Sequence, residues 1–252
     1  MSFAVPADAY DRFLGRYSVQ LSPQLADLAG VEGGQRVLDV GCGPGALTAE
    51  LVARVGPAAV SAVDPSESFV AAARERHPAV GVQQASAEQL PFPDQAFDVS
   101  LAQLVVHFML DPAAGVAEMV RVTRQGGVVA ACVWDHACGQ GPFSALWGAA
   151  RELDPEVDDE SRLMGTREGD LARLFGSAGL REVEETALFV SVEHPSFEEW
   201  WERFTLGVGL PGAYVAGLEP ERRAQLREHC RELLPGAPFV LKARAWAARG
   251  LA

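Results

Sequence analysis

Positive charge is in short supply. Lysine and arginine together number 21 against 34 aspartates and glutamates, for a formal net charge of −13. A chain this acidic repels phosphate backbones and anionic bilayers, so neither nucleic acid nor a membrane surface is expected as its main partner. Cysteine is sparse too. Cys42, Cys132, Cys138 and Cys230 form no C-x-x-C pair, and none stands near a histidine at metal-ligand spacing. No metal is expected, and four buried or half-buried free thiols suit a reducing compartment. No apolar run approaches the roughly 20 residues that cross a bilayer. The N-terminus carries Asp8, Asp11, Arg12 and Arg16, which no secretory leader would. A soluble cytoplasmic protein is expected. There is no internal repeat, linker or low-complexity tract. What the chain does have is apolar material: 48% of its 252 residues, enough for one large α/β domain or a domain with a small appendage.

The remaining residues are organised around Val37-Leu38-Asp39-Val40-Gly41-Cys42-Gly43-Pro44-Gly45. An apolar run ends in an acid, glycines follow, and an amphipathic stretch opens at Ala46. That is strand, tight turn, helix. Glycines let a ligand approach the main chain closely, and the free N–H groups of a helix start favour acceptors. A nucleotide-like ligand is the first expectation.

Around this stretch the spacing predicts helices over residues 1–33, with a new helix starting at Ser22-Pro23. Strands are expected at 36–40, 59–63, 80–84, 97–106 and 128–134, alternating with helices. Continuous apolar strands alternating with helices mean a parallel sheet covered on both faces, wound doubly by right-handed crossovers. After Trp134 a loop with one helix is expected over 135–165, then a helix at 166–178 and a strand at 182–192. A capping box, Ser196-Phe197-Glu198-Glu199, opens an inserted helical cap at 195–236, interrupted at Pro211-Gly212. A last strand is expected at 239–247. The fold class is thus α/β, a doubly wound, mostly parallel seven-stranded sheet. The N-terminal segment 1–33 reads as a lid or as a packed helix, 34–134 as the cofactor core, and 135–165 with 195–236 as a cap.

Two ligand readings compete on residues alone. Gly41-x-Gly43-x-x-Ala46 fits a dinucleotide fingerprint with alanine last, and Asp64 stands about where the ribose acid belongs. That reading implies an NAD-dependent oxidoreductase. Against it, Asp39 precedes the first glycine by two residues, and an acid there suits an ammonium group better than a pyrophosphate. A non-catalytic module that keeps the cofactor fold is a third reading.

The segment Val37 to Gly45 resembles the first motif of class I S-adenosylmethionine-dependent methyltransferases. Asp64-Pro65-Ser66, Ser86-Ala87-Glu88 with Phe97-Asp98, and Gly126-Gly127-Val128 resemble their later motifs, in order, over about 34–134. The similarity is to the small-molecule branch that includes ubiquinone and menaquinone biosynthesis enzymes, with a Rossmann-like fold. It implies methyl transfer from S-adenosyl-L-methionine, leaving S-adenosyl-L-homocysteine, to O, N or C of a small acceptor. It assigns the Gly41, Gly43 and Gly45 loop to the methionine part and Asp39 to its ammonium. Asp64 with Pro65 would take the ribose hydroxyls, since a carboxylate offers two acceptor oxygens. Ser86, Ala87 and Glu88 would take the adenine. Ser86 stands where the family often has aspartate, so weaker cofactor binding is expected. Gln103 would line the methionine side, and Arg16 with Tyr17 would close over the carboxylate or serve as surface salt-bridge groups. Alignment and desolvation supply most of the acceleration in such a transfer. His107, just past the fourth strand, is the candidate base if the acceptor must lose a proton; a packed histidine is its other reading. His136 and His194 are further candidates. Trp134, Phe143, Trp147, Trp200, Trp201 and Phe204 are read for the most part as core and cap packing; if two or three face the site, the acceptor is flat and apolar.

Overall fold

The computed structural model describes residues 7–252; the first six residues of the expected N-terminal lid lie outside them. Seven strands form one sheet in the order β3-β2-β1-β4-β5-β7-β6. They are β1 Val37–Val40, β2 Val60–Asp64, β3 Gly81–Gln84, β4 Phe97–Gln103, β5 Thr123–Trp134, β6 Arg181–His194 and β7 Phe239–Leu251. The first five run parallel, and β7 inserts antiparallel between β5 and β6. The expected seven-stranded, mostly parallel sheet is therefore present. A dinucleotide fold needs a second parallel mononucleotide half. Here the second half is the antiparallel pair β6–β7 instead, which removes the structural basis of the oxidoreductase reading.

Helices cover both faces. Leu21 and Leu25 of α2 (Arg16–Leu28) and Leu47 and Leu51 of α3 (Ala46–Val55) pack with Val37 on one. Val116 and Met119 of α5 (Pro112–Val122) and Leu171 and Phe175 of α7 (Asp170–Ser177) pack with Leu38 and Val40 on the other. Alternate residues of β1 thus feed opposite cores, as the two-residue period of a strand requires. The inserted cap is α8 (Phe197–Glu202), α9 (Gly209–Gly217) and α10 (Pro220–Leu233), with α6 (Ser144–Leu153) packed beside α10. The Ser196 hydroxyl accepts from the Glu199 amide at 3.1 Å, so the expected cap is made.

Four local expectations are corrected. No helix begins at Ser22-Pro23: Pro23 sits inside α2, whose buried Leu21 and Leu25 hold the turn despite one missing N–H. Pro211 likewise lies in the first turn of α9, where its missing N–H has no partner to lose. β4 stops at Gln103, because Leu104 takes a left-handed φ of 62° and a short 3-10 turn, Val106–Phe108, follows. Of the four free thiols, Cys138 is exposed and the other three are buried.

Candidate functional site

The carboxyl ends of β1 and β4, the glycine turn and α2 enclose a cavity of about 1020 Å³. Its lining includes Asp39, Gly41, Gly43, Gly45 and Gln103 from the sheet side and Tyr10, Arg16 and Ser18 from the N-terminal helices. The turn needs glycine for two different reasons. At Gly41, φ is +70° and a Cβ would meet Val105 Cγ2 at 2.4 Å, so the chain is backed tightly by the 104–108 loop. At Gly43, φ is +53° and nothing lies within 4 Å of a Cβ position, so that space is left to a ligand.

Asp39 is buried at the end of β1. Its Oδ2 accepts from Thr48 Oγ1, in the first turn of α3, at 2.6 Å. Its Oδ1 is buried with no partner. Burial pushes its pKa up to about 7, the Thr48 hydroxyl opposes this, and the Asp64 charge adds to it. Two further buried oxygens of the cavity lining lack partners: Gln103 Oε1 and Ser18 Oγ. Gln103 itself is fixed by its amide, which donates to the Ser18 carbonyl at 3.2 Å. An ammonium group offers three N–H donors and no acceptor. Two orphaned acceptors in one cavity, Asp39 Oδ1 and Gln103 Oε1, fit it and would suit a phosphate badly, and the Ser18 hydroxyl can accept from it as well.

Asp64 closes β2. Its Oδ2 accepts from the Gly43 amide at 2.9 Å and its Oδ1 from the Ser66 amide at 2.8 Å. It therefore ties the glycine turn to the second strand and keeps one lone pair on each oxygen. Burial raises its pKa and those two amides oppose the rise. Asp64, Pro65, Ser86, Ala87 and Glu88 do not line the large cavity; they sit along the adjoining edge, with the Ala85 amide bonded to the Asp64 carbonyl. Glu88 is engaged elsewhere, its Oε1 accepting from the amides of Leu110 and Asp111 at 2.8 and 3.3 Å. Ser86 and Pro65 are exposed and Ala87 is buried.

Arg16 stands at the cavity rim and is paired with Glu199 at 2.5 Å, while also donating to the Glu193 carbonyl at 3.0 Å. Tyr17 points away from the cavity lining: its hydroxyl meets His194 Nε2 at 3.0 Å, and His194 Nδ1 meets Glu199 at 2.8 Å. These contacts fasten α2 to the end of β6 and to α8. Sequence reasoning missed Arg76 and His77, which brace the turn from α4 (Glu67–Arg76) and the residue after it. Arg76 donates to the Pro44 carbonyl at 3.2 Å and pairs with Asp11 at 2.5 Å. His77 Nε2 lies 3.2 Å from the Gly45 carbonyl. No local motif marks them, because the contact spans 32 residues.

His107, on the 3-10 turn after β4, is buried and lines a separate small chamber together with Trp134, His136 and Phe143. Trp147, Trp200, Trp201 and Phe204 are packing residues, all buried and outside both cavities. No cluster of three metal-ligating side chains, and no helix long and apolar enough to cross a membrane, occurs among the described residues.

A family profile described as a methyltransferase domain matches residues 38–131, the strands and turns that build the large cavity. The phosphatidylethanolamine N-methyltransferase of Cereibacter sphaeroides is 35% identical over 143 residues, 54% of this chain and 68% of that protein. The O-methyltransferase cnsE of Penicillium expansum is 34% identical over 185 residues, 70% of this chain and 60% of that one. The chain spans between about two fifths and two thirds of the length of the curated relatives it matches first. Among solved structures, the YcgJ protein of Bacillus subtilis superposes with a TM-score of 0.60 at 19% identity, covering 93% of this chain and 97% of that one. Geranyl diphosphate C-methyltransferase of Streptomyces coelicolor, solved with S-adenosyl-L-homocysteine, gives 0.56 at 16% identity over 95% and 81%. At those identities the likeness is one of fold.

Proposed function

The chain belongs to the S-adenosylmethionine-dependent methyltransferases of the methyltransferase-domain family, and from that premise we propose that it methylates a small, apolar acceptor. The observation that carries the cofactor reading is the trio of unpartnered oxygens, Asp39 Oδ1, Gln103 Oε1 and Ser18 Oγ, in the cavity under the glycine turn. When bound, S-adenosylmethionine supplies a methyl group on a positive sulfur that is already a good leaving group. The protein's work is to hold, align and desolvate.

Asp39 and Gln103 take the ammonium group and fix the methionine end. The Gly41–Gly45 backbone would support the methionine part, and Arg16 at the rim would supply a positive charge for its carboxylate. Asp64, anchored by two amides, presents its remaining lone pairs to the ribose hydroxyls, with Pro65 beside it. Ala87 offers its amide to the adenine, and Ser86 stands alone for the amino group because Glu88 is committed to the 110–111 backbone. His107 is the base if the acceptor carries a proton to lose. The acceptor is a small molecule that is neither nucleic acid nor lipid bilayer, in keeping with the charge of −13.

Isothermal titration with S-adenosylhomocysteine tests this reading, and micromolar-range binding is expected. Absence of binding at millimolar ligand would sink it. Asp64→Ala should weaken binding by about 1–3 kcal/mol, the cost of losing hydrogen bonds to a charged acceptor. An unchanged affinity removes Asp64 from the site.

A further inference from the structure

Beside the large cavity lies the small chamber, and Tyr10 walls both. Its volume is about 20 Å³, room for roughly one water molecule. One side is aromatic. Phe13 and Phe143 stack with ring centres 4.8 Å apart and 23° between planes, and Trp134 completes the wall. The other side is polar and buried, made by His107, His136 and Glu160. His107 Nδ1 is buried with no partner. The His136 ring centre is 6.2 Å from that of His107, and its Nδ1 is 4.0 Å from Glu160 Oε2. Trp147 Nε1 donates to that same Glu160 oxygen and pins the carboxyl in place. A buried ring nitrogen without a protein partner costs free energy that a bound hydroxyl would return.

Burial disfavours the charged form of all three polar groups in the chamber. Burial holds His107 well below the usual imidazole range, and the nearby His136 adds to this. Burial brings His136 down to about 4, against the pull of Asp159 and Asp135. Burial pushes Glu160 up to about 8, with the Trp147 bond opposing and the Asp159 charge adding. The neighbouring charges are matched: Asp159 pairs with Arg151 and Asp135 with Arg244. A carboxylate or an ammonium ion would find no counter-charge here. A neutral O–H finds an imidazole waiting for its proton to be shared.

We propose that this chamber is the polar end of the acceptor site, and that it takes a neutral aromatic hydroxyl, with the ring against Phe13, Phe143 and Trp134 and the O–H donated to His107. The inference rests on the methyl-transfer reading above and names its acceptor class. Admission of a ring requires the Phe13 wall to move. That wall is carried by a π-helical segment, Asp11–Gly15, and not by the sheet; such segments often mark functional sites.

The test is equilibrium dialysis of the whole chain, loaded with S-adenosylhomocysteine, against 2-naphthol, naphthalene and 2-naphthoate. 2-Naphthol is expected to bind at least tenfold more tightly than the other two. His107→Phe should cut that preference below threefold. Equal retention of the three probes, including no retention of any, overturns the proposal, as does a preference for naphthoate or an unchanged preference in His107→Phe. The wild-type series decides the matter even if a variant does not fold. A chain that binds no S-adenosylhomocysteine overturns the cofactor reading instead, whatever the naphthol result.

Discussion

A carboxyl with one oxygen satisfied and the other bare, like that of Asp39, destabilises the ligand-free protein. Its folded pKa, about 7, lies above the ordinary 3.8. The folded chain therefore binds more protons than the unfolded one between those values, and the Asp39 contribution to stability is lost as pH rises from about 4 to 7. Asp39→Asn keeps a hydrogen-bond acceptor for Thr48 and removes the buried charge. It should raise ligand-free stability at pH 8 by about 2 kcal/mol, or roughly 4–8 °C in melting temperature, while weakening S-adenosylhomocysteine binding at least tenfold. Calorimetric melting at pH 5 and pH 8 checks the first claim, since the gain must shrink at the lower pH. Asp39 was legible in the sequence because its partners are local: a strand end, three glycines and a helix start within ten residues. Glu160 was not. It lies in a stretch of glycine and acids without periodicity, and its burial depends on Trp147 and His136 reaching it from other elements.

Among the elements, α8 and the turn after it carry a feature that hydrophobic patterning does not reveal. The guanidinium of Arg203 is buried above the rings of Tyr17, Phe143, Trp200 and Phe204, 4.8 to 5.7 Å from their centroids. It donates to the Pro142 carbonyl at 2.9 Å, its Nε has no partner, and burial lowers its pKa. No carboxylate lies within 4 Å of it among the described residues. Cation–π attraction and packing of its stem hold it, against a desolvation cost. Arg203→Ala opens a cavity among four rings and should cost about 3 kcal/mol, on the scale of large-to-small core changes. Arg203→Met fills the volume without the charge and should cost less than about 1.5 kcal/mol. Urea denaturation separates the two; equal losses would mean that the charge itself, not the volume, holds the cap. The helix boundaries tell a similar story. Pro23 and Pro211 look like breaks in one dimension, but burial of Leu21 and Leu25 carries α2 through Pro23, and Pro211 falls within the first turn of α9, just after the break at 207–208. The end of β4 was read three residues too far because nothing in an apolar run signals a left-handed leucine at 104.

In the whole molecule, the parallel half was the readable half. Except for β3, whose Gly-Val-Gln-Gln is mostly exposed and runs to β4 without a helix, each strand from Val37 to Trp134 is its own apolar run with its own stop signals, so spacing placed Asp39, Asp64 and Gln103 at one end of the sheet. The second cavity depends on contacts between residues more than a hundred positions apart, such as Phe13 on Phe143, and no window along the chain contains them. Tyr10 lines the large cavity on one side and the small chamber on the other, so, on the proposal above, one residue separates the two rooms. A guest in the inner room should then slow departure from the outer one. Stopped-flow displacement of S-adenosylhomocysteine should show its off-rate falling several-fold when 2-naphthol is saturating. An unchanged rate would mean that the two rooms have separate doors, and that substrates come and go in no fixed sequence.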